Sequence, residues 1–538
     1  MHWTYAFLYI LAFTGEGYAN IPVQLHGPTA IKLWNLEVAA AERSARNTPS
    51  LNVQTSPRLE LSKAHKSVGK VGWFRQPLDH FSDSGHTFLQ RYWYSDKHYK
   101  TGGPVIVLDG GETSGANRLP FLDTGIVEIL ANATGGLGVI LEHRYYGQSI
   151  PVQNFSTDSL RWLDNAQSAA DSANFMANIK FSDELDNLTA PGTPWIYYGG
   201  SYAGARAAHM KILYPDLVFG AIASSAVTHA QIDYWEYLDL IRTAAPKDCS
   251  DHLVNSIKLV DFALAHPHLR GPIKKLFGLE GLKNDEDFGS LLEAPLSSWQ
   301  AQVWDPEVGS TAFDNFCKYL NKEPWNKGLM AEVSSIFAGQ SVDLSIINYA
   351  AYIRERIVSQ CPEDKTVEEC FGTGNKRDFE DDSLKAKWRP WTFQVCTEWG
   401  YFIGAPPDPE RPRIISRVVT TEWLHSVCAK AFPDGKDMSI PTWPNVTSVN
   451  SLGDFDLAAD KLAFIDGDID PWRPATPHSD YAHDRRDTIQ RPFKLIPNAV
   501  HHYDEYGLRN IEDEPAEILK IHLEMVHFVK EWLKDWEA

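Results

Sequence analysis

Three short stretches carry the side chains able to perform nucleophilic chemistry together. "WIYYGGSYAGARAAHMKILYP" (195–215) sets Ser201 among glycines, after strand-forming residues and before a helical pattern. "FIDGDIDPW" (464–472) offers Asp466, Asp468 and Asp470, and "LIPNAVHHYDEYG" (495–507) offers His501 and His502. A serine hydroxyl barely ionises at ordinary pH, so it needs a base, and the base needs an acid to orient it. Serine, then acid, then histidine, each just past a strand, is the order used when the nucleophile sits on a tight strand-to-helix turn. The strict G-x-S-x-G pattern would put Gly at 203; this chain has Ala203, with Gly204 one place later.

Each stretch also has a plainer reading. Asp466, Asp468 and Asp470 could open a calcium loop, but Pro471 interrupts it and Pro477 stands where the twelfth-position Glu belongs. Adjacent histidines point apart on an extended loop and rarely chelate one ion. The six cysteines, at 249, 317, 361, 370, 396 and 428, include no CxxC pair. No metal site and no cofactor are expected.

The elements that must position these residues alternate between two periods. Strand-like runs occur at 87–95, 103–111, 137–147, 193–201 and 218–226, and return at 461–467 and 493–498. Helical patterns fill 119–132, 158–181 and 201–214. A closing helix shows Ile518, Ile521, Met525, Phe528, Val529 and Trp532 at helical spacing. Alternation of this kind predicts a parallel sheet flanked by helices. The alternation stops from 229 to 450, a stretch holding all six cysteines and helix-like segments such as 253–265 and 345–359. The whole reads as an α/β-hydrolase fold with an inserted, mainly helical, disulfide-bonded cap: 67–228 and 451–538 form the hydrolase domain and 229–450 the cap. Residues 20–66 are polar and mixed, the texture of a pro-segment or loosely ordered arm.

Fifty basic and seventy acidic side chains give 538 residues a net charge of −20, which repels phosphate backbones and argues against nucleic acid as a partner. Residues 1–19 end in Gly17 and Ala19 after an apolar run, the pattern of a secretory leader too short to span a bilayer. No stable membrane anchor is expected. Sequons at Asn132, Asn154, Asn187 and Asn445 fit glycosylation in a secreted chain, or in one delivered to a vacuolar or lysosomal lumen.

Beyond this reading, the chain resembles the lysosomal and secreted serine peptidases typified by prolyl carboxypeptidase and dipeptidyl peptidase II, including fungal acid prolyl endopeptidases. The resemblance rests on "GGSYAG" (199–204), "EHRYYG" (142–147), "DPW" (470–472) and "HH" (501–502), with "QRYWY" (90–94) and "CTEW" (396–399) in support, and runs from about residue 70 to the C-terminus. It implies Ser201 as nucleophile, Asp470 as the acid, because the family's acid precedes Pro-Trp, and His501, the first of the pair, as the base. It implies peptide or protein substrates and a preference for cleavage after Pro in acid, with Trp399 and Trp472, beside Tyr401 and Tyr202, as walls for the proline ring. Family spacing also implies a Cys396–Cys428 disulfide; proximity then leaves Cys249 with Cys317 and Cys361 with Cys370.

An acyl transfer of this kind needs two backbone donors for the oxyanion. The residue after the serine, Tyr202, supplies one, and the glycine loop "LDGGETS" (108–114) is expected to supply the other from Gly111, with Gly110 behind it. Glu142 and Arg144 read either as a site for a substrate terminus or as an ion pair beneath the centre. The competing functions are a secreted carboxylesterase or lipase using the same three residues, and a non-catalytic binding protein on the same scaffold.

Overall fold

The computed structural model describes residues 27–47, 69–83, 85–182, 185–338 and 342–536. The leader at 1–19 lies outside these, as do 20–26 and 48–66 of the arm that follows it.

Among the described residues the strands are β1 (Lys70–Pro77), β2 (Thr87–Ser95), β3 (Val105–Asp109), β4 (Leu137–Leu141), β5 (Trp195–Gly200), β6 (Gly220–Ser224), β7 (Gln231–Asp233), β8 (Gly400–Phe402), β9 (Leu462–Gly467) and β10 (Phe493–Ile496). Eight form one sheet in the order β1-β2-β4-β3-β5-β6-β9-β10. β1, β2 and β4 pair antiparallel, and every later neighbour is parallel. The order, with the Ser201 turn directly after β5, makes this an α/β-hydrolase fold.

The central strands are buried on both faces, which is why "VIVLD" and "LGVIL" read as unbroken apolar runs. The two-residue period divides them cleanly. Val105 and Val107 pack with Phe175, Met176 and Met210 from the helices Asn165–Asn178 and Tyr202–Leu213. Ile106 and Leu108 pack on the other face with Val127 and Leu130 of the helix Ile126–Thr134 and with Met525, Phe528 and Trp532 of the closing helix Ala516–Leu533. All six apolar positions expected on that closing helix are buried. Each such aliphatic side chain contributes about 1.5–3 kcal/mol on burial.

Two expected helices are broken. The 119–132 pattern divides into a 3-10 segment, Gly115–Leu122, which contains Pro120, and the helix Ile126–Thr134. The 158–181 pattern stops after Leu160 and restarts at Asn165, where the Asp164 carboxylate accepts the Gln167 N–H as an N-cap at 2.7 Å.

Between β6 and β9 the chain forms a helical layer that includes Lys247–Ala265, Ser345–Arg356 and Thr421–Ala431, plus the short parallel β7–β8 ribbon. Three disulfides tie it together: Cys249–Cys317, Cys361–Cys370 and Cys396–Cys428. Within the stretch 20–66, read as a pro-segment or loosely ordered arm, residues 28–47 are ordered against the cap. They form a helix, Pro28–Asn47, whose Ile31, Leu33 and Leu36 are buried in the cap's own apolar core, and Lys32 pairs with Asp378 of the cap. The arm looked polar because its apolar stripe is narrow and its partner lies more than two hundred residues away.

Asn132, Asn187 and Asn445 are exposed, whereas Asn154 is half-buried and its Oδ1 accepts from Ser159 Oγ at 2.7 Å. No helix among the described residues is long and apolar enough to cross a membrane.

Candidate active site

β5 ends at Gly200 and the next helix begins at Tyr202, so Ser201 is the whole turn. Its φ of 62° lies in the left-handed region, a strained value for a residue with a side chain, and its N–H is held by Ser224 O of β6 at 2.9 Å. Glycines flank it because the chain folds back on itself. A Cβ on Gly199 would stand 1.9 Å from Ala203 O, and one on Gly204 would stand 2.4 Å from Ser224 O. Position 203 has room for a methyl group, which explains why Ala replaces the glycine of the strict pattern.

The ends of β9 and β10 bring the other two residues to this turn. His501 Nε2 lies 2.7 Å from Ser201 Oγ, and His501 Nδ1 lies 2.8 Å and 3.0 Å from the two Asp470 oxygens. With Nδ1–H donating to the carboxylate, Nε2 is left to accept the serine proton. Asp470 is fully buried, which pushes its carboxyl up, but His501, Ser225 and the Trp472 N–H outweigh that and hold it below the ordinary range. The neighbouring acids are elsewhere: Asp466 pairs with His478 at 2.5 Å, and Asp468 gives its backbone N–H to Ile496 O. His502 turns away from Ser201 and faces Glu505 at 2.8 Å.

On the opposite side of the serine, the Tyr202 N–H belongs to the first turn of a helix and has no intrahelical partner. Gly111 lies beside it, since a Cβ there would stand 3.4 Å from Ala203 Cβ. Its N–H, however, donates to Asp109 Oδ1 at 3.0 Å, and the Gly110 N–H donates to Leu141 O at 2.8 Å. Asp109 is itself fixed by Tyr197 Oη at 2.6 Å and Arg206 Nε at 2.7 Å.

Trp399 and Trp472 are both buried and belong to one arc of rings. Tyr202 contacts Trp399 (centroids 5.1 Å), Trp399 contacts Tyr401 (6.2 Å), Tyr401 contacts Trp472 (5.2 Å), and Trp472 reaches His501 (6.1 Å). The arc therefore starts on the residue after the serine and ends on the histidine. The cap supplies Trp399 and Tyr401 to it.

Glu142 and Arg144 do not pair with each other. Glu142 is buried and binds Arg91, the Gly115 N–H and Ser149, while Arg144 forks onto Asp171 at 2.6 and 2.8 Å. Both brace the loops under the site. Glu398 of the cap accepts the Asn165 N–H at 3.1 Å, and burial together with Asp164 pushes it up to about 8. Ser225, Glu505 and Arg118 also meet at this site. The sequence signal for Glu505 was its spacing of three from His502; Ser225 and Arg118 had none. Among the described residues no group of three or more His, Cys, Asp or Glu side chains is placed to hold a metal ion.

Residues 76–522 match the peptidase family described as serine carboxypeptidase S28. A "Probable extracellular serine carboxypeptidase" of Arthroderma benhamiae is 40% identical over 486 residues, covering 85% of this chain and 67% of that one. "Serine protease vicPb" of Bipolaris victoriae is 27% identical over 504 residues, covering 89% and 92%. The mouse "Thymus-specific serine protease" is 27% identical over 529 residues, covering 94% and 96%.

Proposed function

The chain belongs to the serine carboxypeptidase S28 family and is a serine peptidase; from that premise we propose that Ser201 is its nucleophile, His501 its general base and acid, and Asp470 the carboxylate that orients His501. The observation carrying this reading is the continuous hydrogen-bonded run from Ser201 Oγ through His501 to Asp470. His501 Nε2 takes the hydroxyl proton as Ser201 Oγ bonds to the scissile carbonyl carbon. When the tetrahedral species collapses, the C–N bond breaks, His501 returns that proton to the leaving nitrogen, and the acyl group stays on Ser201 as an ester. Water then repeats the sequence and frees the acid. The Tyr202 N–H stabilises the oxyanion, and the second donor comes from the loop 109–114. If that donor is Gly111, its N–H is shared between Asp109 and the oxyanion.

The acyl-side residue is proline, received against the arc Tyr202–Trp399–Tyr401–Trp472. Flat, rigid rings suit a compact ring substrate and lose little entropy on contact. The enzyme acts outside the cell, in acid; the similarity to an extracellular carboxypeptidase and the leader pattern at 1–19 support secretion.

A fluorophosphonate label mapped to Ser201, together with pH–rate profiles for matched peptides with and without Pro, tests the reading. Labelling at another residue removes the nucleophile assignment. A basic residue replacing Pro without loss removes the specificity, and a maximum well above neutrality removes the acid range. Faster turnover of short acyl esters than of any peptide would favour the esterase alternative.

A further inference from the structure

Asp470 and His501 stand on irregular loops that follow β9 and β10, and β10 has only four residues with which to anchor its loop. Within the hydrolase domain, backbone N–H groups tie these loops down. Asp468 N–H donates to Ile496 O at 3.1 Å, Ile469 N–H to Ala499 O at 3.2 Å and His502 N–H to Ser225 Oγ at 2.8 Å. The carbonyls on either side of Asp470 are met by the cap instead. Ile469 O accepts from Trp299 Nε1 at 3.0 Å, and Pro471 O accepts from the Tyr234 hydroxyl at 2.9 Å. The Trp472 indole N–H donates to Gln300 Oε1 at 3.0 Å, and on the histidine loop Tyr503 O accepts from Trp304 Nε1 at 3.0 Å.

Three of these four cap contacts come from one stretch, residues 299–304, which closes the 3-10 segment Ala294–Ala301. The stretch is itself fixed within the cap. The Trp299 ring meets Phe313 edge-on with centroids 4.9 Å apart, and Gln300 Oε1 also accepts from the Tyr237 hydroxyl at 2.7 Å. Trp299 and Gln300 are 4% and 6% exposed, so their hydrogen bonds are shielded from water. The direct rung between the loops, Ile469 to Ala499, precedes both catalytic residues; the cap contacts at Pro471, Trp472 and Tyr503 follow them. Two rigid rings from one cap segment therefore fix the acid's loop against the base's. That spacing decides whether His501 Nδ1 lies within reach of both Asp470 oxygens, at 2.8 and 3.0 Å.

Resting on the Ser201–His501–Asp470 reading above, we propose that Trp299 and Trp304 are positioning residues for the peptidase reaction: from the cap they hold the Asp470 and His501 loops in register. Gln300 serves the same end through Trp472. The cap thereby aligns the catalytic residues in addition to supplying Trp399 and Tyr401. An imidazole turned away from its carboxylate is a poorer base, and a misplacement of about 1 Å costs about 100-fold in rate.

Trp299→Phe and Trp304→Phe keep a ring and remove the N–H. Each should lower kcat by about tenfold and the double variant by about 100-fold, with KM for a Pro-containing peptide within about twofold of wild type. The fluorophosphonate labelling rate per active site should fall by the same factors, because His501 must activate Ser201 for that reaction too. The fraction of chains labelled at completion should stay at the wild-type value, which separates misalignment from unfolding. Tyr349→Phe is the control: it deletes a buried hydrogen bond of the same cap, from the Tyr349 hydroxyl to Leu292 O, and should change neither rate. Unchanged kcat and labelling rate in both tryptophan variants overturn the proposal, as does a rise in KM at constant kcat or an equal loss in Tyr349→Phe. Should Trp299→Phe not fold, the half-buried Trp304 decides through Trp304→Phe alone. Wild-type labelling at a residue other than Ser201 fails the nucleophile reading instead, and the kcat comparison stands whichever residue is labelled.

Discussion

The Tyr202 hydroxyl lies 3.0 Å from His143 Nε2, and the direction of its proton is determined. His143 Nδ1 is 2.7 Å from the Arg144 carbonyl, which can only accept, so Nδ1 carries the hydrogen and Nε2 accepts from Tyr202. Burial and the nearby Arg206 push His143 down to about 3, which keeps this tautomer neutral in acid. Tyr202 Oη in turn accepts from Gln394 Nε2 at 2.8 Å, and Gln394 Oε1 accepts from the Tyr146 hydroxyl at 2.5 Å. The cap is thereby hydrogen-bonded to the residue next to the nucleophile.

Tyr202→Phe should therefore weaken the fold more than the chemistry. It leaves His143 Nε2 and the Gln394 amide unmatched, a cost of about 1–3 kcal/mol, yet it keeps the backbone N–H at the oxyanion position. Urea denaturation should show the loss, while kcat per labelled site stays within about tenfold of wild type. A kcat drop as large as that of Ser201→Ala would contradict this division.

Ser201→Ala, His501→Ala and Asp470→Asn should each lower kcat by about four orders of magnitude and leave a folded protein. His502→Ala should change kcat much less, since its ring faces Glu505 rather than Ser201. Steady-state kinetics of the four variants on one Pro-containing substrate decide this. If His502→Ala abolished turnover and His501→Ala spared it, the two roles would have to be exchanged.

Stability should depend on pH in a definite window. Burial raises Glu293 and Glu398 from 4.5 to about 8, so between these values the folded chain keeps protons that the unfolded chain releases, and stability falls as pH rises. Burial and Arg206 lower His143 and His209 from 6.5 to about 3, which works the other way: stability rises with pH across that range. The two effects oppose each other from 4.5 to 6.5 and only the glutamates act above it. Asp504, raised to about 6, and Glu37, raised to about 7, tilt the intervening range downward. Tm should climb from pH 3 to about 4.5, decline gently to about 6.5 as Asp504 and Glu37 add to the balanced glutamates and histidines, and keep dropping toward pH 8. Glu398→Gln should flatten the upper limb, since each buried glutamate contributes on the order of a few kcal/mol to it. A Tm still rising between pH 6.5 and 8 would refute the assignment.

The disulfides should differ in worth by the loops they close. Sequence separations of 68, 32 and 9 correspond, in the chain-entropy account, to about 4.4, 3.7 and 2.6 kcal/mol for Cys249–Cys317, Cys396–Cys428 and Cys361–Cys370. Paired Cys→Ser variants, compared by denaturant midpoint, should follow that order. The Cys396–Cys428 variant should also lose activity, because Cys396 lies three residues from Trp399 in the ring arc.

The features legible in the sequence were those written in local chemistry. Ser201, Asp470 and His501 stood at strand ends in the required order, and the closing helix announced its apolar face by spacing alone. The direction of the Gly111 N–H was hidden because it depends on the Asp109 side chain, which Arg206 and Tyr197 fix from elements about 90 residues away. Trp472 reads as an aromatic next to an acid; that its Nε1 donates to Gln300 Oε1 across 172 residues is a property of the folded cap. Arg118 carried no signal, since its ion-pair partner Glu505 lies nearly four hundred residues away in sequence. The break at 161–164 was readable after all, in Asp164 with Gln167 three places on.

The helix Pro28–Asn47 gives the chain a built-in ligand. Ile31, Leu33 and Leu36 fill part of the cap's core, each burial worth about 1.5–3 kcal/mol, and Lys32 adds its pairing with Asp378. While residues 48–68 are intact, the helix is tethered and its local concentration does not depend on the protein's. A single nick in that connection would turn it into a separate peptide held by mass action, so the cap's stability would begin to depend on dilution. A chain begun at residue 69 would have to fold its cap without that peptide altogether.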